Sequence, residues 1–181
     1  MTQLSPAIIL ITGIMAAGKS SVAQRLAERL AKSVHLRGDL FRRLIINGRA
    51  ELGFDLSAEA LAQLDLRYAL AATVAQIYLA GGFTVVYQDI IIGQGLVEMV
   101  AKLQQLPLHV VVLCPNPAVV ATREAGRAKT GYANAGDVVN FDRVLRDETP
   151  RLGLWLDSST LSVDETVDAI LARLAEAKIS T

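Results

Sequence analysis

The sequence predicts an α/β fold in which a parallel β-sheet is covered by helices on both faces. Three observations carry this. Short, continuous apolar runs recur along the 181 residues, helical patterns separate them, and the first run leads straight into a glycine-rich turn and a helix. Strands buried on both faces read as continuous rather than alternating apolar runs. There is no repeat, low-complexity tract or linker, so residues 1–181 are expected to form one domain.

The elements follow in order. Ala7–Thr12 (AIILIT) reads as a buried strand, and Lys19–Ala31 as a helix with Val22, Leu26 and Leu30 on one stripe. Ser33–Leu36 is a weak second strand. Leu40–Ile46 reads as a short helix stopped by Asn47-Gly48, and Ser57–Ala80 as a long helix closed by Gly81-Gly82. Phe83–Tyr87 is the third strand. Gln94–Leu106 is helical, because Leu96, Met99, Val100 and Leu103 repeat at helical spacing, and Pro107 ends it. Leu108–Leu113 is the fourth strand. Asn116-Pro117 then caps and opens a helix to about Arg127. Lys129–Gly136 reads as a polar loop, Val138–Glu148 as a helix and Leu152–Leu156 as the fifth strand. Ser162-Val-Asp-Glu165 is a capping box before a last helix that turns Val167, Ile170, Leu171 and Leu174 inward.

Composition bounds the function. Apolar residues make up 52% of the chain and charged residues 20%, which excludes a disordered chain. Eighteen Lys and Arg balance eighteen Asp and Glu, so no global field draws in nucleic acid or an anionic membrane. Recognition of an anion must be local. A single cysteine, Cys114, permits no internal disulfide and fits a reducing cytoplasm. Two histidines and one cysteine are too few for a structural zinc site. Met1–Pro6 lacks the basic stretch of a signal peptide, and Ala7–Ile11 is too short to span a bilayer.

Ligands of open parallel sheets sit beyond the carboxyl ends of the strands. After the first strand, Gly13-Ile-Met-Ala-Ala-Gly18-Lys19-Ser20 matches the phosphate-binding pattern G-x-x-x-x-G-K-[ST] without a gap. The backbone of Gly13, Ala16, Ala17 and Gly18 can curl so that N–H groups face an anion, and the helix that begins near Lys19 adds its positive end. Lys19 can reach the β- and γ-phosphates of a nucleoside triphosphate. The Ser20 hydroxyl can ligate Mg²⁺, and Ser21 can add a contact.

Asp39 follows the second strand. It can take a proton from an acceptor hydroxyl, hold Mg²⁺ through water, or simply cap the next helix. Arg42 and Arg43 follow, with Arg42 a candidate for binding the acceptor; two exposed surface arginines are the plainer reading. His35, within the strand, reads as a packed residue. After the third strand, Asp89 ends a hydrophobic-strand-then-acid pattern, which can orient Mg²⁺ or hydrogen-bond the acceptor. After the fourth, Arg123 and Arg127 project from one helical face. They form either a lid over the transferring phosphoryl group or a solvated basic face. Asp157-Ser-Ser-Thr160 after the fifth strand is a weak candidate for contacting a base or ribose.

Taken together, the P-loop, Asp39, Asp89, Arg123-Glu124 followed by Arg127, and Leu156-Asp157-Ser-Ser resemble the small P-loop kinases. That group includes shikimate, gluconate and nucleoside monophosphate kinases, and the chain most resembles chloramphenicol phosphotransferase-like proteins. The resemblance implies a three-layer P-loop NTPase fold with a five-stranded parallel sheet in order 2-3-1-4-5. It also implies ATP as donor, Asp39 as general base, and Arg123 and Arg127 on a lid. Between Leu44 and Leu66 the chain departs from that pattern, and this stretch would shape the acceptor pocket.

The expected activity is ATP- and Mg²⁺-dependent transfer of the γ-phosphoryl group to a hydroxyl of a small molecule, an antibiotic such as chloramphenicol or a metabolite. Two other readings stay open. One is a nucleotide or nucleic-acid 5′ kinase, which the balanced charge disfavours. The other is a nucleotide-dependent switch, although the chain has no N-K-x-D guanine signature.

Overall fold

A computed structural model describes residues 1–53, 56–126 and 135–180. Its elements run β1 (Ile8–Thr12), α1 (Lys19–Arg29), β2 (Ser33–Arg37), α2 (Asp39–Arg43), α3 (Ala58–Ala80), β3 (Thr84–Gln88), α4 (Gln94–Leu103), β4 (Leu108–Leu113), α5 (Pro117–Ala125), α6 (Ala135–Arg143), β5 (Leu154–Leu156) and α7 (Val163–Ala172). The five strands form one sheet in the order β2-β3-β1-β4-β5, and every pairing is parallel. This is the order the resemblance implied.

β1 sits in the middle because it is apolar on both faces. Each of its residues is buried, and it pairs with β3 on one side and β4 on the other. α1 and α7 pack together on the sheet, joined at their surface by Arg25–Asp164 and Arg29–Asp168 contacts of 2.6 Å each. α3 lies over β2 and β3 and touches α4. The core that results is aliphatic, with Ile8–Ile11, Leu26, Val85, Val86, Met99, Val110–Leu113 and Ile170 among its buried members.

Several boundaries differ from the sequence expectation. α2 ends at Arg43 rather than Ile46, since only Leu44 N and Ile45 N continue its turns. β2 and β3 each extend one residue further, to Arg37 and Gln88. β5 starts at Leu154, because Leu152 N bonds the Pro150 carbonyl at 2.8 Å and keeps that stretch in a turn. The expected helix over 138–148 begins earlier, at Ala135, and its last turn, Val144–Glu148, is π-helical. Of the expected loop over 129–136, residues 129–134 lie outside the described residues. In the last helix Val167 and Ile170 are buried, while Leu171 and Leu174 pack at the core's edge.

The capping box at α7 is fully formed. Glu165 N donates to Ser162 Oγ at 3.2 Å, and Ser162 N donates to Glu165 Oε2 at 2.8 Å. Ser162→Ala is expected to lower stability by about 1 kcal/mol, as read from chemical denaturation.

Among the described residues, no helix is long and apolar enough to cross a membrane.

Candidate active site

The loop from β1 to α1 is shaped by backbone that side chains resist. Gly13 has φ +144°, and a Cβ there would press into the Leu113 carbonyl oxygen. Glycine alone lets the loop turn this closely past the end of β4. Ala16, at φ +59°, is the one non-glycine residue with positive φ among the described residues. α1 starts at Lys19 with no side-chain cap, so its first N–H groups remain for a ligand. The Lys19 side chain is buried against the loop and donates to the Ile14 carbonyl at 2.7 Å. Thr12 ties the base of the loop to the segment after β3. Its hydroxyl donates to Ile91 O at 2.7 Å and accepts from Ile91 N at 2.9 Å.

This loop forms one wall of a cavity of about 410 Å³. Met15, Ala16, Gly18, Lys19, Ser20 and Ser21 of the loop line the cavity together with Arg37, Asp39, Arg43, Arg67, Gln88, Asp89, Ile90 and Arg123. Gly13 and Ala17 shape the loop from beneath. The parallel order brings these residues together, since β1, β2 and β3 all end on the same rim. A volume of this size suits a small ligand.

Asp39 is the first residue of α2, with Gly38 as the N-cap and no side-chain cap bond. The capping alternative is therefore not what the structure shows. Its carboxylate faces the cavity and meets two guanidinium groups, Arg43 Nη2 at 2.5 Å from Oδ2 and Arg37 Nε at 3.4 Å from Oδ1. Arg42, expected at the acceptor, points away. It donates to the Ala50 carbonyl at 2.7 Å and pairs with Glu51 at 3.8 Å, and its neighbours Arg37 and Arg43 line the cavity instead. The reason is helical geometry: successive residues on α2 project about 100° apart, so only one of two adjacent arginines can face the rim.

Asp89 lines the cavity with its carboxylate already engaged. Arg67 of α3 grips it with a two-pronged ion pair, Nε to Oδ2 at 2.9 Å and Nη2 to Oδ1. The Tyr87 hydroxyl lies 3.3 Å from Oδ2, and Ile90 N donates to Oδ1 at 2.7 Å. Both oxygens are thus engaged, and the residue beside Ser20 is Gln88, whose Oε1 accepts from Ser20 Oγ at 3.2 Å. The pair is buried. Burial lowers the Arg67 pKa from its ordinary value and raises those of the neighbouring tyrosines, Tyr68 to about 12. Gly38 backs this pair so closely that a Cβ there would overlap the Asp89 carboxylate. Asp89→Asn would leave Arg67 buried beside a neutral group and is expected to cost about 3–5 kcal/mol of stability, measured by denaturant unfolding.

Arg123 reaches across from α5, with Nη2 3.0 Å from Ser158 O and Nη1 3.5 Å from Ala17 O. It holds the P-loop to the turn after β5. Arg127, the other arginine of the expected lid, lies outside the described residues. Asp157 accepts from Ser159 N and Oγ, while Ser159 Oγ also accepts from Asn116 N at 2.7 Å, so that turn is knitted to the start of α5. His35 is half-buried on β2 and bonds Gln24 Oε1 at 2.8 Å; it does not line the cavity.

The family model for an AAA domain, AAA_33, matches residues 8–147, from β1 through the arginine-bearing helices. The chain belongs to this AAA_33 family. Its fold is that of the small P-loop kinases. The tunicamycin resistance protein of Deinococcus radiodurans superposes with a TM-score of 0.72 at 20% identity, covering 98% of this chain and all of that one. A gluconokinase from Sinorhizobium meliloti gives 0.66 at 20% identity over 94% and 92% of the two chains. An APS kinase from Mycobacterium tuberculosis, in complex with AMPPNP and APS, gives 0.66 at 19% identity over 94% and 98%. No curated protein matches this sequence.

In this AAA_33 member the cavity gathers the loop, Asp39 and Arg123, which the sequence singled out, and adds Arg37, Arg67 and Gln88, which it did not. One signal was available. Arg37 and Gln88 directly precede the Gly38-Asp39 and Asp89 positions at strand ends, and strand ends are where ligands bind in such sheets.

Proposed function

We propose that the protein is a phosphotransferase that uses ATP and Mg²⁺ to phosphorylate a hydroxyl of a small molecule. The observation that supports this is that Asp39 and the P-loop residues line one continuous cavity. In the proposed step the acceptor O–H proton passes to the Asp39 carboxylate as the oxygen forms a bond to the γ-phosphorus. The bond from that phosphorus to the β–γ bridging oxygen breaks, and ADP leaves with the electron pair.

The chain's residues fit such a donor. The positive φ at Gly13, Ala16 and Gly18 makes a backbone cradle, and Lys19 can swing from the Ile14 carbonyl to the β- and γ-oxygens. Ser20 Oγ would hold Mg²⁺, with Gln88 orienting it; the ion when bound would offset the charge of the phosphates. Among the described residues no cluster of His, Cys, Asp and Glu could hold a metal by itself, which suits an ion brought in with the nucleotide. Arg123 and Arg127 would close over the transferring group. The modest cavity and the chain's zero net charge favour a small acceptor over a polymer.

The test is incubation with γ-labelled ATP, Mg²⁺ and a panel of hydroxyl-bearing metabolites and antibiotics. Label is expected in one acceptor with matching release of ADP. Release of labelled phosphate at one rate with and without every compound would refute the proposal and favour a nucleotide-dependent switch.

A further inference from the structure

The charges around the cavity divide into three groups. Lys19 and Arg123 lie along the P-loop, where a triphosphate would meet them. Arg67 and Asp89 neutralise each other one to one. On the remaining stretch of wall two guanidinium groups, Arg37 and Arg43, share the single carboxylate of Asp39. That stretch carries a surplus positive charge in a chain whose net charge is zero.

The bonding there is also incomplete. Arg37 Nε and Asp39 Oδ1 lie 3.4 Å apart and buried, yet neither has a hydrogen-bond partner among the described residues. Buried polar atoms without partners are costly and uncommon. Arg43 is about half exposed, so it can turn toward a ligand at little cost. A base held by two cations must also be released before it can take a proton.

We infer that the acceptor carries an anionic group, a carboxylate or a phosphate monoester, which binds Arg37 and Arg43 and takes them over from Asp39. The exchange leaves the carboxylate to receive the hydroxyl proton, so it couples recognition of the acceptor to activation of the base. Arg37 and Arg43 are then the residues that discriminate charged from neutral acceptors. This inference rests on the phosphotransferase reading and sharpens its acceptor.

The experiment uses the whole protein saturated with Mg·AMPPNP, so that the P-loop is filled. It is titrated calorimetrically with inorganic phosphate, with D-gluconate against D-glucitol, and with glycerol 3-phosphate against glycerol. At least one anion is expected to bind ten-fold or more tightly than its neutral counterpart, or, for phosphate, to give measurable binding. The pairs also tell carboxylate from phosphate. Arg37→Met and Arg43→Met should each abolish that preference, while Arg43→Lys keeps part of it. Asp39→Asn, which removes the competing carboxylate, should tighten anion binding several-fold, an effect no general loosening of the fold would produce. No anion binding, equal binding of the neutral compounds, or a preference unchanged in both methionine variants would overturn the inference. Failure to bind AMPPNP would instead strike the phosphotransferase reading itself.

Discussion

Lys19→Met is expected to lower kcat/KM for phosphoryl transfer by at least ~10³-fold, about 4 kcal/mol of transition-state stabilisation. The Lys19 ammonium is buried in the P-loop, 2.7 Å from the Ile14 carbonyl. A dry site makes such a charge count for more than it would in water. Methionine fills nearly the same space without the charge, so the fold should survive. The measurement is initial-rate kinetics alongside thermal unfolding. A variant that keeps its melting temperature and also keeps its rate would remove Lys19 from the mechanism.

Asp39→Asn should produce the second large effect, through the other substrate. Transfer is expected to fall ~10²–10⁴-fold, the range for loss of a positioned general base. Nucleotide affinity should change little, because the partners of Asp39 are Arg37 and Arg43 rather than loop residues. Calorimetry with Mg·ATP and a transfer assay on the same sample separate the two quantities. Equal losses in both would mean that Asp39 supports the site as a whole rather than the proton transfer.

The strands and the P-loop were legible because they are local. A continuous apolar run such as Ile8–Thr12 has few other homes, and the loop's glycine spacing directly encodes a backbone shape. Strand order was not legible from periodicity. It records which strands meet across the sheet, and it came from the resemblance alone. The same non-locality hid much of the site. Asp89 after a hydrophobic strand reads as orienting Mg²⁺ or hydrogen-bonding the acceptor, and nothing in the spacing announces its ion pair with Arg67, 22 residues earlier on α3. Arg37 and Arg43 look like ordinary surface arginines until β2 and α2 set both against Asp39. At α2 the sequence pointed to Arg42 at the acceptor, and one helical step sets Arg43 rather than Arg42 on the cavity. The π-helical turn at Val144–Glu148 also carries no pattern of its own. Arg146 within it chelates Asp142 at 2.9 Å and bonds the Pro115 carbonyl at 2.7 Å, contacts that depend on tertiary packing.

Base, lid and acceptor assignments all presuppose that the backbone between Gly13 and Ser20 encloses a triphosphate. Isothermal calorimetry of the purified protein with ATP and Mg²⁺ tests this most directly. One nucleotide per chain should bind, with the heat lost in Lys19→Met. A protein shown by circular dichroism to be folded that gives no heat with ATP or any other Mg-nucleotide would contradict the account.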